Sequence, residues 1–102
     1  MEEQLYPHQS NGSLNILNGR ALKLVTPSYP VIARKAHASG TVLVKVLIDE
    51  EGKVIAATAI SGHPLLFALC VQAAKDSLFS PTLFGDKPVK VTGMIQYNFI
   101  QQ

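Results

Sequence analysis

Between Thr41 and Ile48, the residues Val42, Val44, Val46 and Ile48 alternate with Leu43, Lys45 and Leu47, the period of two that marks a strand with one buried face. Asp49-Glu50-Glu51-Gly52 then supplies turn chemistry, and Lys53 to Ser61 resumes as a second strand with β-branched Val54, Ile55, Thr58 and Ile60. Together they predict an antiparallel hairpin. Downstream, Gly62-His63-Pro64 opens a helix whose Leu66, Leu69, Cys70, Ala73 and Ser77 recur at helical spacing, giving a face to cover the sheet. Phe67, Val71 and Leu78 add a second stripe, wider than a one-sided surface helix needs, which predicts contact with the N-terminal hairpin or with another chain. Pro81 is expected to stop the helix and Gly85-Asp86 to turn the chain. Val89, Val91, Ile95, Tyr97 and Phe99 then alternate along a final strand that Gly93 interrupts.

The N-terminal part is less regular. Residues 1–13 are polar, carry Pro7, Asn11 and Gly12 and lack any apolar period, so they read as a tail or linker ahead of one domain spanning 14–102. From Leu14 to Leu24 the apolar residues flank Asn18-Gly19, a dipeptide suited to a two-residue turn, which predicts a short hairpin. Pro27 and Pro30 break any strand. Pro30 is placed to start a short helix through Ile32, Ala33 and Ala36, ended by Gly40. The fold class expected is α+β, two layers, with a small antiparallel sheet packed against one longer and one short helix.

A chain of 102 residues builds one modest core, and 47% hydrophobic against 16% charged residues argues against disorder. No apolar run approaches the roughly 18 residues of a membrane span. A net charge of +2 on scattered Lys and Arg is no footprint for nucleic acid. No basic-then-apolar signal segment follows Met1, so any export or anchoring signal is expected outside this sequence.

Material for catalysis is thin. His8 falls in the tail, His37 near the end of the short helix and His63 at a helix cap, and no pair has the spacing of a zinc site. Cys70, the only cysteine, sits mid-helix on the apolar face and reads as a packed hydrophobe, with no disulfide open to it. Asp49, Glu50 and Glu51 lack the alternating ligands and long loop of a calcium site. No glycine-rich loop precedes a helix to cradle phosphate. The expectation is a chain that is not an enzyme, with no catalytic residue, no metal, no cofactor and no small-molecule substrate.

The order of motifs resembles the TonB C-terminal domain family. Pro27-Ser28-Tyr29-Pro30 with Ala33-Arg34, Gly40 opening a Val-rich strand, Asp49-Glu50-Glu51-Gly52-Lys53-Val54 and Ser61-Gly62-His63-Pro64 carry the likeness. So do Phe79-Ser80-Pro81, Pro88-Val89-Lys90-Val91 and Tyr97-Asn98-Phe99. It spans about Leu14 to Ile100. The resemblance implies a periplasmic protein-interaction domain, anchored to the inner membrane in a longer protein. Such a domain grips a short peptide of an outer-membrane receptor and transmits work derived from the proton-motive force for uptake. Inner-membrane motor proteins would be engaged through parts outside this chain.

By analogy with the family, Val89 to Phe99 is the expected edge strand, onto which a guest peptide adds. Val89, Val91, Ile95, Tyr97 and Phe99 would face the core, so Lys90, Thr92, Met94, Gln96 and Asn98 become candidate partner-binding residues. Arg34 and Tyr29 join them from the short helix and its approach. Four to six backbone bonds at a net ~0.5–1.5 kcal/mol each, against an association cost of ~4–15 kcal/mol, predict micromolar or weaker binding. The reading requires that edge to be open. Cover from the chain's own N-terminal segment, or from a helix, would defeat it. Two alternatives stand beside it: an envelope assembly or homodimerisation domain, favoured by Leu43 and Leu47 if exposed, and more remotely a small ligand-binding module or enzyme with a pocket near His63 and Cys70.

Overall fold

The computed structural model describes residues 16–100. The tail expected over 1–13 lies outside the described residues, as does Leu14. The alternating segment at the centre of the sequence forms β2 (Gly40–Ile48), in which Val42, Val44, Val46 and Ile48 are all buried. It pairs antiparallel with β3 (Val54–Ser61) on one side and with β7 (Val91–Phe99) on the other, giving a three-stranded sheet of order β3-β2-β7. Both flanking strands are therefore terminal. Asp49 closes the hairpin turn between β2 and β3, its Oδ1 accepting the N–H groups of Glu51 at 2.9 Å and Lys53 at 2.8 Å.

One face of this sheet is covered by α2 (Phe67–Lys75), introduced by a 3-10 turn at Pro64–Leu66. His63 caps that turn as expected, its Nδ1 accepting the Leu65 N–H at 3.2 Å. Leu66, Cys70, Ala73, Ala74 and Ser77 are buried against Val44, Val46, Ile95 and Tyr97 in one core. The short α1 (Val31–Lys35) inserts Ala33 into the same core. The fold is the expected α+β arrangement of a small antiparallel sheet with one longer and one short helix.

Several boundaries fall elsewhere than the pattern suggested. Among the described residues no hairpin forms around Asn18-Gly19. The pair opens a 3-10 turn (Asn18–Arg20) that leads into β1 (Ala21–Lys23), and β1 pairs with β4 (Leu78–Phe79) far along the chain. α1 ends at Lys35, where His37 adopts φ 59, while Gly40 belongs to β2. α2 ends at Lys75, well before Pro81, because Leu78 and Phe79 are drawn into pairing with β1. Leu78, the end of the second helical stripe, thus meets the N-terminal segment, while Phe67 and Val71 stay half-buried.

The final strand is also two pieces. β5 (Thr82–Phe84) and β6 (Lys87–Val89) form their own small hairpin, and Lys90 lies between β6 and β7. Gly93 does not interrupt β7, since it pairs opposite Val46 in unbroken register. Leu43 and Leu47, expected to be exposed, are half-buried. On that face they stand across from Gln96 and Thr92, whose side chains take up part of their surface.

Candidate functional site

β7 is the terminal strand the sequence pointed to, and its outward backbone can be assigned from its contacts. The Leu17 N–H donates to the Met94 carbonyl at 2.7 Å, and Gln96 engages the Asn18 side chain through both of its peptide groups. Even-numbered residues therefore turn their backbone away from β2, and odd-numbered ones turn toward it. Thr92, Met94, Gln96 and Asn98 also share the sheet face opposite the core, whereas Val91, Gly93, Ile95, Tyr97 and Phe99 are buried. Lys90 stands apart from the series, exposed in the link between strands.

This edge is not open along its whole length, as the strand-addition reading required. Ile16 bridges Met94 in parallel sense, and Leu17 follows with its backbone bond and a side chain only 3% exposed. The Asn18 carboxamide then imitates a peptide unit. Its Nδ2 donates to the Gln96 carbonyl at 2.7 Å while its Oδ1 accepts the Gln96 N–H at 2.8 Å. Gly93 makes the approach feasible, because a Cβ there would stand 2.6 Å from Leu17 Cγ. Sequence reading missed this segment because Asn18-Gly19 matched a hairpin turn, while Leu17 carried no periodic signal.

Three such bonds at ~0.5–1.5 kcal/mol each and burial of one leucine at ~1.5–3 kcal/mol oppose an ordering cost of ~1–2 kcal/mol per residue over three residues. The two sides lie within a few kcal/mol of each other. Such a contact opens more readily than the core strands beneath it.

Past Gln96 no described segment pairs with the edge. Asn98 continues the outward phase with no backbone partner on that side among the described residues, and its Oδ1 accepts the Thr41 hydroxyl at 2.8 Å. A groove of about 350 Å³ runs beside this stretch, floored by Gln96 to Ile100 and walled by Leu24, Thr26, Pro27 and Tyr29, with Asn18 at its near end. Tyr29 fixes that wall. Its ring meets Phe99 edge-on with centroids 5.3 Å apart, its hydroxyl donates to the Ala38 carbonyl, and Arg34 lies over its ring at 4.7 Å. Tyr29 thus staples α1 to the sheet and lines the groove as well, while Arg34 sits exposed above it.

Reactive groups do not converge here. Cys70 is buried in the core, where desolvation pushes its thiol up to about 11 and keeps it protonated. Burial likewise pushes the Tyr97 phenol up to about 12. The Ser77 side chain beside it draws that value down somewhat; Ser77 Oγ donates to the Ala73 carbonyl and accepts the Val25 N–H, and the Tyr97 hydroxyl has no hydrogen-bond partner among the described residues. Among the described residues no three His, Cys, Asp or Glu side chains gather to hold a metal, and no helix is long and apolar enough to cross a membrane.

Comparison with known proteins decides the family. The model for the C-terminal region of the Gram-negative bacterial TonB protein matches residues 25–100. The chain belongs to the TonB C-terminal domain family. A solved relative, the solution NMR structure of the Pseudomonas aeruginosa TonB C-terminal domain, is 26% identical and superposes with a TM-score of 0.62, covering 85% of this chain and 93% of that one. No curated protein matches the chain. The TonB C-terminal domain is a non-enzymatic, transport-related module, periplasmic in its family context. Ile16–Asn18, the segment laid on β7, precedes the matched residues.

Proposed function

We propose that this chain is the receptor-gripping domain of a TonB-like energy transducer, binding a short peptide of an outer-membrane receptor by strand addition to β7. The contact of Ile16–Asn18 with Met94 and Gln96 meets the condition set against a fully open edge, so the reading now requires this segment to be displaced, and what supports it is the kind of contact made there. It is an added parallel segment, made within the molecule, on the edge where a guest would lie. Beyond it, the backbone at Asn98, which no described residue pairs on that side, and the groove beside Tyr29 offer the guest a first foothold. Thr92, Met94, Gln96 and Asn98 meet the guest along the strand. Tyr29 and Arg34 meet it across the groove, and Lys90 contributes charge from beyond the strand's end.

A ladder loaded along its strands shares tension among several bonds at once, whereas peeling breaks them singly, so even a weak complex can transmit a pull. Inner-membrane anchoring and the motor proteins would act through sequence outside this chain. The test is an NMR titration with peptides from the N-terminal segments of outer-membrane receptors. Shifts should concentrate at the amides of Met94 to Ile100 and at the Tyr29 ring, with micromolar or weaker affinity. A saturable titration that leaves those positions unmoved removes the reading.

A homodimerisation or assembly role is the second reading. The burial of Leu43 and Leu47 weakens its first argument, but β3 supplies another. As the opposite terminal strand it carries no charged residue from Val54 to Ser61 and exposes Ile55 and Ile60, both at 49%. Sedimentation that grows heavier with concentration would favour it.

A further inference from the structure

We infer that Ile16–Asn18 is a built-in competitor for the guest's track on β7, so that a receptor peptide binds fully only as this segment is released. The inference rests on the strand-addition reading and adds how that site is controlled. Four features support it. The segment uses the same outward groups of Met94 and Gln96 that a guest must use, and its Ile16 bridge is parallel. The Asn18 carboxamide satisfies both Gln96 groups as a guest peptide unit would, so exchange leaves neither half-buried group orphaned. Leu17 occupies a slot that exists only because residue 93 lacks a side chain. Finally, the groove starts at Asn18 and continues along the stretch to Ile100.

Geometry also orders the events. A guest first pairs at Asn98, where no described residue has to leave, and then extends toward Met94 as Asn18, Leu17 and Ile16 lift in turn. The competitor stays tethered through the Asn18–Arg20 turn and β1, which remains paired to β4, so it returns at high effective concentration when the guest departs. The segment thereby lowers apparent affinity by the fraction of molecules in which it is seated.

The test is a reversible lock. Ile16→Cys with Met94→Cys places two thiols at directly bridged positions, where β-paired Cα atoms fall in the disulfide range of about 4.4–6.8 Å. Cys70, buried and protonated, stays out of the exchange. The probe is a panel of fluorescent receptor N-terminal peptides, read by anisotropy with the protein oxidised and then reduced. The oxidised chain should bind about tenfold or more weakly than the same variant after reduction, a comparison in which the Met94 side chain is lost from both states. Asn18→Ala, which needs no disulfide, should bind about threefold or more tightly than the parent and speed hydrogen exchange at the Gln96 amide while Ile95 and Tyr97 stay protected. Equal binding by locked, reduced and Asn18→Ala chains, with β7 amides shifting in each, overturns the competition and leaves the receptor reading intact. Failure of every peptide to bind any of the three overturns the receptor reading, and the competition with it.

Discussion

Leu17 lies where a side chain on Gly93 would stand, with its Cγ 2.6 Å from the site of the missing Cβ. Gly93→Ala therefore forces Leu17 off the edge of β7, although alanine is otherwise the better strand residue. The expected loss is ~1–3 kcal/mol by urea denaturation. Leu17→Ala alone should cost ~1–3 kcal/mol, limited by what seating the segment contributes, and the double variant should lose less than the sum, because the new methyl fills the vacated slot. Strict additivity would place Leu17 elsewhere.

The carboxamide of Asn18 supplies the one donor and one acceptor that the two peptide groups of Gln96 call for. Asn18→Asp keeps an acceptor for the Gln96 N–H but turns a second lone pair toward the Gln96 carbonyl, so it should be worse than Asn18→Ala at neutral pH. A loss of ~1–3 kcal/mol is expected, shrinking below about pH 4 as the carboxyl protonates and regains a donor. Denaturation at pH 7 and pH 3.5 reads the difference, and an aspartate variant as stable as the parent at both would contradict the pairing.

Alkaline stability follows from two buried groups. Cys70 titrates at about 11 in the fold against an ordinary 9.0, and Tyr97 at about 12 against 10.0, burial being the main cause in both. Between pH 9 and 12 the unfolded chain has released protons that the native chain still holds, so stability falls as pH rises through that window and is full below it. Each group accounts for a loss on the order of 1–3 kcal/mol. Tyr97→Phe should flatten the part above pH 10. At pH 7 it should be neutral or stabilising by up to ~1 kcal/mol, since the hydroxyl it removes has no partner. An unchanged slope above pH 10, or a large loss at pH 7, would contradict that account.

The parts of the fold that the sequence revealed are those where one periodicity has one cause. Val42 to Ile48 alternate because one side of β2 is buried along its full length, and Leu66, Cys70 and Ala73 recur at helical spacing because one face of α2 lies on that side. The family motifs were equally legible, from Pro27-Ser28-Tyr29-Pro30 to Tyr97-Asn98-Phe99. What escaped are pairings between short segments far apart in the chain. Leu78 reads as helix by pattern and becomes strand because Lys23 lies beside it, and Val89 reads as part of β7 but turns back onto Thr82. The candidate site was half visible for the same reason. The alternation from Thr92 to Asn98 marks a strand, and the family resemblance made it the expected edge, but nothing in Ile16-Leu17-Asn18 announces a partner almost eighty residues away.

Gly52 ties the hairpin turn to the rest of the fold. It is buried, adopts φ +91 and presents its carbonyl to the Phe79 N–H at 2.9 Å. A Cβ at this position would run into the Phe79 carbonyl, which is backbone and has no rotamer to escape through. Gly52→Ala thus meets both a disfavoured dihedral and a clash. Relieving the clash means parting the β2–β3 turn from β4, and with β4 the strand β1 that tethers Ile16–Asn18. The expected loss is ~2–4 kcal/mol, larger than for Gly85→Ala, where φ is +70 but no atom lies within 4 Å of the added methyl. Comparing the two variants by urea denaturation separates dihedral strain from collision, and equal losses would mean that the contact with Phe79 gives way at little cost.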